Sequence, residues 1–346
     1  MSWFPWQYLA ARRPRRLILI GFLLGSLTLH AALARAAEPA TVSFIPQWQP
    51  QAQFAGYYVA YEMGFYRQQG LDVKIMRGGP DRPPSEMLAR GRADFGTMFL
   101  TTGIIKRARG EKLVNLAQIV QRSALMLVAK KSSAINTPQD INGKKVGLWG
   151  EDFQGQPRAF FRKYGLKVRV IPQSATLNLF LRGGVEVASA MWYNEYHLIL
   201  NAGVDPQELT TFMLADYGFN FPEDGIYCRE DLAKTHPERC RRFVRASLRG
   251  WQYAFAHPQE ALDLVMKYVE AANVATDRVH QKWMLERMRD IIQPRENGVP
   301  PGILRQADYQ LVAAELRNNG LIADVPLFSH FFRNCVTGDE TLGTGN

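Results

Sequence analysis

The stretch Thr41–Met76, TVSFIPQWQPQAQFAGYYVAYEMGFYRQQGLDVKIM, decides the fold. TVSFIP has the run of apolar and β-branched residues expected of a strand, and LDVKIM repeats it. Between them, GYYVAYEMGFYRQQG carries apolar residues at helical spacing and closes on Gly70. A strand, a helix and a second strand over this length predict a parallel pair joined by a crossover. The segment Gln47–Tyr61, QWQPQAQFAGYYVAY, carries one unusual composition. It has many rings and amides and no charge, too polar for a core strand and too aromatic for a solvated linker. In open α/β sheets the loops beyond the carboxyl ends of strands form the binding crevice.

The alternation continues outward. PPSEMLARGR predicts a helix, ADFGTM a strand, and TTGIIKRARG a helix opened by threonine and closed by Gly110. LVNLAQIV and ALMLVAKK are expected to complete a first sheet. The pattern then restarts with the strands GKKVGLWG, KVRVIP, VASAMW and LTTFML, separated by the helices QPRAFFRKYG, SATLNLFLRGG and YNEYHLILNAG. After DGIYCRED, long amphipathic helices follow, including Pro237 to Ala256 and His257 to Glu270. The expected class is α/β, with two lobes around a cleft and a helical C-terminal tail. Crossings near Lys130-Lys131 and Pro222 to Gly225 place 37–130 plus 225–346 in lobe I and 131–224 in an inserted lobe II. Two short connections can hinge while the lobes stay rigid.

Composition bounds the function. With 47% hydrophobic and 21% charged residues in 346, the chain is a folded globular protein. The net charge is +10, but residues 1–36 hold five arginines and no acid; the remainder has 37 basic against 32 acidic residues. That mild excess, without a block of like charge, gives no reason to expect a nucleic-acid partner. The first 36 residues explain the rest: ARRPRR, then LILIGFLLGSLTLHAALA, then Ala34-Arg35-Ala36. A basic start, an apolar run and a small-x-small exit predict a secretory signal peptide and a periplasmic or extracytoplasmic protein. Leu17 to Leu33 sits at the short edge of a bilayer span, so a retained anchor is the alternative. The arginine pairs leave the export route, general or twin-arginine, open. Cys228, Cys240 and Cys335 match no metal spacing and cannot all pair within one chain.

Candidate ligand-binding residues follow from the loop positions. After the first strand come Trp48, Gln51, Gln53, Phe54 and Tyr57; RGGPD supplies Gly79 and Asp81; the third strand leads to Thr97 and Thr101. The inserted lobe supplies Trp149 and Glu151, then Trp192, Tyr193, Asn194 and Glu195. Taken singly, each has a duller reading: a core tryptophan, a Gly-Pro turn, a solvated glutamate. Together they make an aromatic pocket with a few placed polar groups, the composition of a small-molecule site. Rings stack on a flat guest, and a buried carboxylate seeks a partner such as an amine. The sequence holds no G-x-S-x-G, P-loop, H-E-x-x-H or C-x-x-C, which removes the usual supports for catalysis.

QWQPQAQFAGYYVAYEMGFYRQQGLDVKI, GGPD, GRADFGT, INGKKVGLWG and AMWYNEYHLIL together resemble the thiamine-pyrimidine family, over most of residues 41–260. It spans periplasmic binding proteins for pyrimidine precursors and fungal pyrimidine synthases. The resemblance implies a type II periplasmic-binding fold, with a heterocycle near Trp48 and Tyr57 and Glu195 on a pyrimidine amine. It further implies an exported solute-binding protein that passes its ligand to the membrane subunits of an ABC importer. The alternative is a synthase-like enzyme. The synthases use a lysine that holds pyridoxal phosphate and a histidine just after the DFG-like element, where this chain has Met98 and Thr102. Only Cys228 falls near their cysteine-rich segment. Without the amine there is no Schiff base, so no cofactor is expected.

Overall fold

The computed structural model describes residues 38–337 except 151–152, 175 and 295–297, together with Met1 and Trp3. The signal-like segment and Glu151 lie outside the described residues. The strands are β1 (Ala40–Ile45), β2 (Leu71–Ile75), β3 (Phe95–Phe99), β4 (Leu113–Gln118), β5 (Leu125–Lys130), β6 (Lys145–Leu148), β7 (Arg169–Pro172), β8 (Val187–Met191), β9 (Leu209–Met213) and β10 (Asp224–Arg229). They form two five-stranded sheets, ordered β2-β1-β3-β10-β4 and β7-β6-β8-β5-β9. This is the α/β, two-lobed architecture, with C-terminal helices, that the alternating pattern predicts.

β1 pairs in parallel with β2 and β3, and β6 with β7 and β8. One strand in each sheet is reversed: β10 is antiparallel to β3 and β4, β5 to β8 and β9. These are the two strands that arrive from the other sheet. A chain leaving one sheet at the carboxyl ends of its strands meets the next at the same edge, and must run backwards through it. β5 therefore departs from the expectation that ALMLVAKK completes the first sheet. Its residues Leu125 to Ala129 are all buried, and a run buried on both faces fits a central position in either sheet.

Two local expectations also change. The helix read from Gly56 to Gly70 is two helices, Ala55–Glu62 and Phe65–Gln68, parted by Gly64 at φ 70°. Glycine takes that left-handed conformation without steric cost. The helix read as opening on threonine begins at Leu100, and no side chain caps it. Its first amide, Leu100 N, instead donates to Glu223 O at 3.0 Å.

The core beneath β1 is aromatic. Phe44 lies 4.7 Å from Tyr57 and 5.4 Å from Phe243, which stacks on Phe95 at 4.1 Å. Phe243 belongs to the C-terminal helix Pro237–Ala256. That helix lies against Ala55–Glu62, so the tail completes the core of the first sheet. No described helix is long and apolar enough to cross a membrane.

Candidate functional site

The two crossing segments, 119–124 and 220–223, run side by side. Ile119 N and Val120 N both donate to Asp224 O at 3.0 Å, and Glu223 N donates to Val120 O at 3.2 Å. Ser123 N donates to Asn220 Oδ1 at 2.9 Å, and Asn220 Nδ2 to Gln121 O at 3.1 Å. Gln118, fully buried, adds a side-chain bond to Glu223 O at 2.9 Å. These bonds make the crossing a ladder rather than two loose linkers.

Two neighbouring acids stand on this ladder, Glu223 at 4% exposure and Asp224 at 3%. Asp224 accepts from Gln47 Nε2 at 2.5 Å and Gln53 Nε2 at 2.9 Å, and Gln51 Nε2 in turn donates to Gln53 Oε1. The amides of the opening stretch thus cradle a buried acid. Burial pushes the Asp224 carboxyl up to about 7 in spite of those bonds. Glu223 Oε1 accepts from Ala124 N at 2.6 Å and Ser123 Oγ at 3.3 Å, while Oε2 is buried without a partner. Burial, with Asp224 alongside, pushes Glu223 up to about 8.

Glu223 closes a cavity of about 20 Å³ between the sheets. Phe99 of β3 and Thr101 of the helix that follows it line one side; Leu125 and Met191 of the second sheet, with Phe153 and Gln156 at the start of the helix after β6, line the other; Phe221 and Pro222 come from the crossing segment. Phe99 and Phe153 meet edge to face at 5.0 Å, with Trp149 edge-on behind Phe153 at 5.7 Å. Gln156 Nε2 is committed to Phe219 O at 2.6 Å and Ser123 Oγ at 3.0 Å.

The candidates read from the sequence that lie among the described residues fall into five places. Thr101 lines the cavity and Trp149 backs it. Gln51, Gln53 and the buried Thr97, whose Oγ1 accepts from Gln47 N at 2.9 Å, hold the framework around Asp224. Phe54 and Tyr57 are core residues, 0% and 1% exposed. Trp48 and Asp81 lie at the surface on the loops that follow β1 and β2, Trp48 at 37% exposure and Asp81 beside Arg82, while Gly79 is buried.

The group from Trp192 to Glu195 mostly serves a different contact. Arg287 lies over the Trp192 ring at 4.8 Å, and Trp283 Nε1 donates to Trp192 O at 3.0 Å. Asn194 Oδ1 is 3.0 Å from His280 Nε2, and His280 Nδ1 is 2.9 Å from His197 Nδ1. Arg287, Trp283 and His280 all belong to the helix Arg278–Ile292. Burial, with His197 adjacent, holds His280 down at about 4. Glu195 accepts from Met191 N and Asn194 Nδ2, both at 2.9 Å, at the start of its own helix. Tyr193 is buried at 3% exposure.

The sequence reading missed Glu223, Asp224, Gln156 and His280. One signal was present: FPEDGIYC puts two acids at the mouth of an apolar strand, where burial makes them costly. Gly78 packs against the loop after β1: a Cβ there would lie 2.1 Å from Pro46 O and 2.4 Å from Trp48 O. Gly78→Ala is expected to push this loop off Trp48 and cost about 1–3 kcal/mol. Urea unfolding followed by tryptophan fluorescence reads both effects, and a parent-like curve would refute the contact.

Two mixed sheets joined by paired crossing strands, with a cavity at their junction, define a periplasmic-binding-protein fold. The aliphatic sulphonate binding protein SsuA of Escherichia coli shares it, at TM-score 0.66 and 15% identity over 88% of this chain and 96% of that one. So does the ligand-binding component of an ABC-type import system from Staphylococcus aureus, at TM-score 0.63 and 9% identity over 87% and 99%. The chain belongs to the NMT1/THI5 like family, whose model matches residues 51–261. Riboflavin-binding protein RibY of Chloroflexus aurantiacus is 28% identical over 261 residues, 70% of this chain and 71% of that protein. Formylaminopyrimidine-binding protein of Halalkalibacterium halodurans is 25% identical over 265 residues, 74% and 78%. The 4-amino-5-hydroxymethyl-2-methylpyrimidine phosphate synthase THI11 of Saccharomyces cerevisiae is 24% identical over 244 residues, 64% and 68%. The donor set here does not fit pyridoxal phosphate. No lysine is among the described residues lining the cavity, and Met98 is buried within β3.

Proposed function

We propose that this chain is the exported solute-binding component of an ABC importer and captures a small planar heterocycle between its two sheets. The observation that carries this reading is the meeting of Phe99 and Phe153 across the cavity. A flat guest inserted between those rings would touch both sheets at once, so its binding energy would favour the closed form. Small-molecule sites enclose roughly 300 Å³ or more. The cavity of about 20 Å³ therefore requires the sheets to part to admit a guest. The crossing ladder is the hinge, with residues up to Gln118 and from Asp224 onward on one side. Trp149 and Thr101 would complete the walls. Relatives named for riboflavin and formylaminopyrimidine support a heterocyclic guest. The signal-like residues 1–36 support export, and capture outside the cytoplasm makes membrane importer subunits the receiving partner.

Native mass spectrometry of freshly purified protein identifies the guest, and X-ray scattering with and without it reads closure. Phe153→Ala is expected to weaken that guest about tenfold, or ~1.4 kcal/mol, the loss of one ring stack. Equal calorimetric affinities for variant and parent, with no compaction on binding, would overturn the reading.

A further inference from the structure

We propose that Glu223 is the specificity-determining residue of this cavity, its Oε2 hydroxyl hydrogen-bonding a basic ring nitrogen of the guest and turning anions away. The inference rests on the reading of the chain as a heterocycle-binding protein.

Glu223 is held at every atom except one. Its amide donates to Val120 O, and its carbonyl accepts from Leu100 N and Gln118 Nε2. Oε1 takes Ala124 N and Ser123 Oγ. The side chain therefore cannot swing away; its Oε2 is buried without a partner, and Glu223 is among the residues that line the cavity. A buried polar atom without a partner is costly, and only a proton or a guest can relieve the cost here. The amide of Gln156 has both hydrogens committed elsewhere.

The titratable groups facing Glu223 are themselves acids: Asp224 beside it, and Tyr193, which also feels Asp224 and Glu195. No lysine or arginine is among the described lining residues. Such surroundings keep a proton on Glu223 at neutral pH. Because Oε1 already receives the Ala124 amide, the proton sits on Oε2, free to be offered to a guest. A ring nitrogen with a lone pair accepts it. A sulfonate or carboxylate would meet acidic neighbours and no compensating cation.

The test is calorimetry of the parent and Glu223→Gln with three probes, from mildly acid to alkaline pH, in buffers of differing ionisation enthalpy. The probes are 4-amino-5-hydroxymethyl-2-methylpyrimidine, riboflavin and ethanesulfonate. In the parent, aminopyrimidine affinity should fall about tenfold per pH unit above about 8, with uptake of one proton. Glu223→Gln keeps the carbonyl acceptor for Ala124 N but has no proton to lose, so its affinity should be flat over that range. Thermal melting of the variant confirms that it is folded. The same alkaline slope in both proteins would overturn the proposal. Binding of ethanesulfonate without either heterocycle, or of riboflavin with no alkaline fall in affinity, would also overturn it, while leaving the solute-binding reading intact. Failure of all three probes would remove both.

Discussion

Gly250→Val should unfold the protein at temperatures where the parent remains native. A Cβ at Gly250 would lie 2.0 Å from Gly56 O, 2.8 Å from Ala60 Cβ and 3.0 Å from Ala60 N. The reciprocal position is as tight: a Cβ at Gly56 would sit 2.3 Å from the Trp251 ring. The helices Ala55–Glu62 and Pro237–Ala256 therefore touch backbone to backbone, and a main-chain carbonyl cannot rotate away as a side chain can. Overpacking of this kind costs about 3 kcal/mol, equivalent to a melting temperature lower by on the order of 10 °C. Circular dichroism melting decides it. An unchanged melting temperature would show that the helices are free to separate.

The second large effect is expected at Asp224. Asp224→Ala leaves the amides of Gln47 and Gln53 without their buried acceptor, at about 1–3 kcal/mol each before any relaxation. Asp224→Asn retains one acceptor and should cost less. The pH dependence separates the charge from the hydrogen bonds. Both Asp224 and Glu223 are raised in the folded state, to about 7 and about 8. The folded form thus binds those protons more tightly than the unfolded chain does. Their stabilising contribution is complete below the ordinary carboxylate range and is lost as pH rises through 7 and 8. The parent's urea midpoint should therefore fall on moving from pH about 5 to above 8. A variant carrying both Asp224→Asn and Glu223→Gln should lose most of that fall. An equal fall in this double variant would place the titrating groups elsewhere.

The alternation of strands and helices was legible because each element carries its own period and its own stop, such as Gly70 and Gly110. The sheet to which a strand belongs was harder to read. β5 is apolar at nearly every position, and that pattern records burial on two faces without naming the neighbours. The site was legible as a region and poorly resolved as residues. Phe54 and Tyr57 sit in a ring-rich loop-to-helix segment, but both are buried, and Tyr57 turns inward onto Phe44 and Trp251. Trp192 and Asn194 follow a strand end as a ligand contact would, yet their partners lie far along the chain, on Arg278–Ile292. Glu223 lies in Pro222 to Gly225, read from the sequence as a lobe crossing and not as a source of ligand contacts. The Val120, Gln118 and Leu100 contacts to its backbone and the Ala124 contact to its carboxyl show that it is fixed.

β10 has a consequence for how the polypeptide is made. It occupies the slot between β3 and β4, so the first layer keeps a gap until residue 229 leaves the ribosome. Until then β3 and β4 present raw edges, and the whole second layer must be synthesised before they are sealed. Such long-range closure is slow. A nascent chain held open in this way stays incompletely folded until the whole second layer has been made.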